Sequence, residues 1–110
     1  MRKFHRTKGR KRSFLKILAH NLIMKDKIET TEARAKELRP IVERLVTIAK
    51  KQTLASFRLL LSKVSKDSAE KLYYEIAPRY KDRKGGYLRI LKTSKQRMRD
   101  AAKMSIIEFI

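Results

Sequence analysis

The sequence predicts a two-layer α+β domain. Apolar residues recur at helical spacing across residues 14–76, broken by one short alternating stretch, and alternate with polar residues in two stretches beyond residue 86. Helical and strand patterns segregated in this way describe helices laid on a small sheet. The length of 110 residues suits one domain, which can bury roughly two-thirds of its unfolded surface. With no Trp and four Phe, the core is expected to be Leu, Ile, Val and Ala.

Residues 1–12 lack apolar periodicity and include Gly9. They are expected to form a basic arm, disordered when free and ordered on a nucleic acid. Residues 13–110 form the domain. Ser13 is an expected N-cap. Leu15, Leu18, Ala19 and Leu22 then mark a helix over 14–24. Lys27 to Thr30 alternates as a short strand. Thr31 is the next expected cap, with Glu32 placed against the helix dipole. Leu38, Ile41, Val42, Leu45, Ile48 and Ala49 hold one face in phase across Pro40, although an interior proline costs about 3 kcal/mol. The spacing predicts one kinked helix over 32–51. Thr53 caps a third helix, with Leu54, Phe57, Leu61 and Val64 inward. Asp67 and Glu70 open a fourth, with Ala69, Leu72, Tyr73 and Ile76 inward. Pro78 disfavours helix at Ala77 and is expected to end it. Arg79 to Gly86 is a loop. Tyr87 to Thr93 and Ala101 to Phe109 read as strands, with Leu88 and Ile90, and Met104 and Ile106, in alternation.

Charge narrows the function. Thirty Lys and Arg against eleven Asp and Glu leave +19, a self-repulsion that a polyanionic partner would relieve. The excess is uneven. Residues 1–12 hold seven bases and no acid, residues 13–78 thirteen bases and eight acids, and residues 79–103 ten bases and two acids. The middle resembles an ordinary surface, and two separated blocks point to two contact regions on one polyanion. The absence of Cys excludes disulfides, thiolate metal sites and Cys nucleophiles. No apolar run reaches the roughly 18 residues that span a bilayer. The basic head also has the composition of a transit peptide or signal n-region; Lys16, His20 and Asn21 interrupt the apolar stretch from Phe14 to Met24, which tells against a secretory signal and leaves a mitochondrial transit peptide open on composition.

Enzyme chemistry finds no constellation. His5 and His20 have no second His or Cys at ligand spacing. Gly85-Gly86 lacks the GxxxxGK pattern of a phosphate-binding loop. No nucleophile, base and oxyanion donor assemble. The expectation is a protein that is not an enzyme, with no cofactor, metal or small-molecule substrate and no membrane attachment.

The candidate nucleic-acid residues form two sets. The head supplies Arg2, Lys3, Arg6, Lys8, Arg10, Lys11 and Arg12. The second block interleaves bases with aromatics in Arg79, Tyr80, Lys81, Arg83, Lys84, Tyr87 and Arg89, and extends through Lys92, Lys95, Arg97, Arg99 and Lys103. Tyr80 and Tyr87 have two readings of equal weight, stacking on exposed bases or packing over the core. Gly85 and Gly86 are expected to supply a positive φ or a close RNA approach, with Gly85 the sensitive position. Pattern alone does not choose RNA over DNA, since no helix-turn-helix, zinc finger or RNP aromatic signature is present.

Three segments add a resemblance. IETTEARAKELRP (Ile28 to Pro40), followed by a helix ending in TIAKK, IAPRYKDRKGGYLRI (Ile76 to Ile90) and DAAKMSIIEFI (Asp100 to Ile110) resemble, in that order, the bacterial-type large-subunit ribosomal protein family numbered seventeen. The resemblance covers nearly the whole chain. It implies an α-β-α-α-α-β-β domain with a small three-stranded mixed sheet. It also implies a cytoplasmic, structural role in the ribosome: binding large-subunit ribosomal RNA near the peptide exit tunnel, beside neighbouring large-subunit proteins, without catalysis or cofactor. The matched Arg79, Tyr80, Arg83, Gly85 and Gly86, with the basic head, would carry the RNA contact. The head MRKFHRTKGRKRSF is shorter than the family's usual opening and lacks its Ser-Ser-His-Arg element. The competing function is a free nucleic-acid-binding protein that compacts DNA.

Overall fold

A first helix runs well into the basic head. The computed structural model describes residues 8–96 and 103–110, and side chains at 13–93 and 103–110. Helix α1 spans Lys8–Lys25, so Ser13 lies within it rather than at its cap. Residues 8–12, expected in the arm, are its opening turns. Lys and Arg are good helix formers, and the helix absorbs Gly9 without a break. Residues 1–7 lie outside the described residues. Leu15, Ala19, Leu22 and Ile23 form the buried stripe of α1. Asp26 ends the helix at φ 67°, a left-handed conformation that Asp tolerates better than most residues.

Strand β1 (Lys27–Thr31) leads into α2 (Glu32–Lys50). The Thr31 hydroxyl accepts from the Arg34 N–H at 3.3 Å, the expected cap. Helix α2 continues through Pro40 and buries Ala35, Leu38, Val42, Leu45, Val46 and Ala49. Pro40 is exposed, so the hydrogen bond it cannot make is lost on the wet side, where water can satisfy the freed carbonyl. Ile41 and Ile48 are only half-buried, at the edge of the stripe.

Thr53 and Ser56 form a reciprocal capping box for α3 (Leu54–Lys63). The phase of α3 differs from expectation. Its buried residues are Ser56 and Leu60, while Leu54 and Leu61 are 64% and 40% exposed and Phe57 lies between. The run Leu59-Leu60-Leu61 is apolar on several faces, and packing selected the central leucine. Ser65, not Asp67, caps α4 (Lys66–Lys71) through its hydroxyl. Pro78 does not stop this helix. A π-turn over Leu72–Ile76 follows directly, the Ala77 N–H bonds the Leu72 carbonyl, and a last turn, α5 (Ala77–Arg79), contains the proline. The wider π bonding sits where α bonding would meet the proline ring and its missing N–H.

Strands β2 (Leu88–Gln96) and β3 (Lys103–Phe109) complete a sheet of order β1-β3-β2. Both pairings are antiparallel, so the sheet is not mixed. Strands β1 and β2 run the same way but are separated by β3. The helices cover one face. Ile107 of β3 pairs with Ile28 and Ile90, and both pack on the core. This register buries Ser105, Ile107 and Phe109 and leaves Met104 and Ile106 half-exposed, one residue out of the expected phase. The Ser105 hydroxyl is buried and has no hydrogen-bond partner among the described residues.

Candidate nucleic-acid interface

The second basic block leaves α5 and crosses to β2 under close control from the core. Tyr80 and Tyr87 are 5% and 2% exposed. Their rings lie 5.3 Å apart, and Tyr80 also stacks on Phe109 at 6.4 Å. The Tyr80 hydroxyl donates to the Ile110 carbonyl at 2.6 Å, and burial pushes its pKa up, against the opposing effect of Arg79. Of their two readings, core packing holds. A base could not stack on Tyr80 without displacing Phe109 or Tyr87.

Lys81, Arg83 and Lys84 are exposed, and no carboxylate pairs with them among the described residues. The Arg83 N–H closes a turn onto the Tyr80 carbonyl at 3.0 Å. Arg79 lies 3.4 Å from Asp26, which Lys71 also approaches at 3.5 Å. Arg89 pairs with Glu108 at 2.6 Å on the helix-free face of the sheet. Arg79 and Arg89 are therefore half-committed cations, and Lys81, Arg83 and Lys84 are the free ones. Lys92 reaches only to 3.9 Å from Glu32. The Glu32 carboxyl is held below the usual range, first by its hydrogen bond from Lys36 at 2.9 Å.

The two glycines separate. Gly85 has no positive φ and open space beside it, so the expectation that it demands glycine fails. Gly86 adopts φ +63°, the region where a Cβ costs about 1–2 kcal/mol. Gly86→Ala is expected to lower the unfolding free energy by about 1 kcal/mol, and Gly85→Ala to leave it unchanged or slightly raised. Urea titration of both variants checks this, and equal midpoints would refute it.

Of the other sequence-derived residues, Lys8, Arg10, Lys11 and Arg12 lie on the first turns of α1, and Lys95 on β2; their side chains, like Arg2, Lys3, Arg6, Arg97 and Arg99, fall outside the described residues. His20 Nδ1 is 3.1 Å from the Ser65 hydroxyl and 2.5 Å from that of Ser68, so it ties α1 to the start of α4. No three acids or histidines gather as a metal site among the described residues, and no helix there is long and apolar enough to cross a membrane.

Sequence reasoning missed Glu43 and Lys50. Glu43 Oε2 accepts the Tyr87 N–H at 3.0 Å. Lys50 Nζ donates to the Arg83 carbonyl and lies 3.1 Å from the Tyr87 hydroxyl. Their spacing of two helical turns was visible, but their partner lies beyond four intervening elements.

The geometry is an exposed, predominantly cationic loop, in which Asp82 is the one acid, on an α+β frame. A family model described as ribosomal protein L17 matches residues 14–110, beginning just past the basic head. The large ribosomal subunit protein bL17 of Persephonella marina is 50% identical over 109 residues, covering 97% of this chain and 88% of that protein. Its counterpart in Hydrogenobaculum is 45% identical, covering 97% and 92%, and that of Staphylococcus carnosus 46%, covering 99% and 98%. A family match over residues 14–110 and identity near one-half at almost full coverage agree: the chain belongs to the ribosomal protein L17 family.

Proposed function

We propose that this chain is a structural constituent of the large ribosomal subunit that binds and stabilises its RNA near the peptide exit tunnel, in the cytoplasm, without catalysis. The observation that carries the RNA reading is the cluster Lys81, Arg83 and Lys84, with no carboxylate partner among the described residues, on a loop anchored to the core. The family name supports the large subunit, and the resemblance of the three sequence segments supports the tunnel side and protein neighbours there. With both tyrosines buried, this loop has no stacking platform. It suits phosphates and backbone shape rather than unstacked bases. Arg79 and Arg89 border it, and the bases from Arg2 to Arg12 add a second electrostatic contact, partly on helix α1.

Sucrose-gradient sedimentation of a cell extract tests this reading. The chain is expected to migrate with the large subunit at physiological salt. Migration with chromosomal DNA, or at the top of the gradient, would replace it with a free nucleic-acid-binding role.

A further inference from the structure

We infer that Glu43 and Lys50 of α2 are positioning residues that hold the 83–87 loop in its RNA-binding shape, without touching RNA themselves. This rests on the RNA-binding reading of the loop. The two residues lie two turns apart and grip the loop at opposite ends. Lys50 Nζ donates to the Arg83 carbonyl, and its ammonium sits 5.0 Å from the Tyr87 ring centroid and 3.1 Å from the Tyr87 hydroxyl. Glu43 Oε2 takes the Tyr87 N–H at 3.0 Å, while its other oxygen takes Arg39 Nε at 3.2 Å. Between these points Lys84, Gly85 and Gly86 are exposed, and an added Cβ at either glycine would meet nothing within 4 Å. The tip is therefore not held by packing of its own.

A glycine pair with so little packing would ordinarily pay an ordering cost on binding. Tying both ends to a helix pays that cost during folding. Two of the three Lys50 ammonium donors go to the loop itself, the Arg83 carbonyl and the Tyr87 hydroxyl, so the cation is placed to orient Arg83 and Lys84 rather than to neutralise a phosphate. This division separates affinity from salt dependence, because the slope of log affinity against log salt counts phosphate contacts.

The experiment measures binding of the full chain to in vitro transcribed large-subunit ribosomal RNA across a salt series, with amide hydrogen exchange of the free protein. Lys50→Met keeps the aliphatic stem over Tyr87 and removes the ammonium. It is expected to weaken binding about five- to tenfold, through the ordering cost regained, at an unchanged salt slope. It should also speed exchange at Lys84, Gly85 and Gly86. Lys51→Met removes the same charge from an exposed neighbour and is expected to have less effect on both. Glu43→Ala releases the other end of the loop, and the same split is expected, which keeps the test valid if Lys50→Met folds poorly. The inference is overturned if Lys50→Met binds as Lys51→Met does, or if its slope falls by about one contact, which would make Lys50 a phosphate ligand. Arg83→Ala combined with Lys84→Ala should lower both affinity and slope. Wild-type binding by that double variant would overturn the RNA reading itself, while the exchange data would still report whether the clamp exists.

Discussion

Raising salt from about 50 to about 200 mM is expected to weaken binding to large-subunit RNA on the order of a thousandfold, as for proteins making roughly six or more phosphate contacts. The chain carries +19, with ten of its bases in residues 79–103 and seven in residues 1–12. The folded middle neutralises much of its own charge: Glu32 with Lys36, Glu43 with Arg39, and Asp26 with Lys71 and Arg79. Lys81, Arg83 and Lys84 have no such partner among the described residues, so their counterions are there to be released. Each phosphate they meet should add about 0.7–0.9 to the slope. A filter-binding titration that stayed flat across this range would remove the electrostatic basis of the RNA reading. Substituting Arg83 or Lys84 should shallow the slope, whereas substituting Arg89, already engaged by Glu108 at 2.6 Å, should change it less.

The second large effect is on stability. Tyr80→Ala is expected to cost about 3–5 kcal/mol, a large share of the 5–15 kcal/mol typical of a domain. The ring is 5% exposed and lies between Tyr87 and Phe109, and its removal would leave a cavity where the loop, β3 and the end of the chain meet. Tyr80→Phe keeps the ring and loses only the hydroxyl bond to the Ile110 carbonyl at 2.6 Å. Ile110 is 46% exposed, so water can serve its carbonyl, and the cost should stay near 1 kcal/mol or below. Urea unfolding together with RNA binding under folded conditions separates this from base stacking. A stacking tyrosine would lose affinity on change to Ala with its stability intact, and that outcome would show the ring to be in the wrong place.

What the sequence made legible was local. Thr31 and Thr53 cap their helices because a hydroxyl meeting an N–H two or three residues on depends on nothing distant. Pro40 was readable as interior because the apolar stripe kept its phase on both sides. Pro78 was misread because the element that tolerates it, the π-turn over Leu72–Ile76, has no signature of its own. The inward faces of α3 and β3 were misjudged where apolar residues lie on adjacent faces, at Leu59-Leu60-Leu61 and Ile106-Ile107. There only the neighbouring elements decide which side is buried. The basic residues of the candidate interface were visible one by one. Which of them are free, as Lys84 is, and which are tied, as Arg79 is to Asp26, is a property of the folded chain.

The middle strand of the sheet is the last strand made. Lys27 pairs with Glu108, and Leu88 with Phe109, so β1 and β2 have no neighbour until β3 has left the site of synthesis. A nascent chain that has reached residue 96 has its helices but no sheet for them to rest on. Its β1 must wait while most of the domain is added, and closing so long a loop is slow compared with forming the helices. During that interval the chain presents its cations without its finished core. The sheet is therefore the layer of this domain that closes last, and the helices form ahead of the surface they cover.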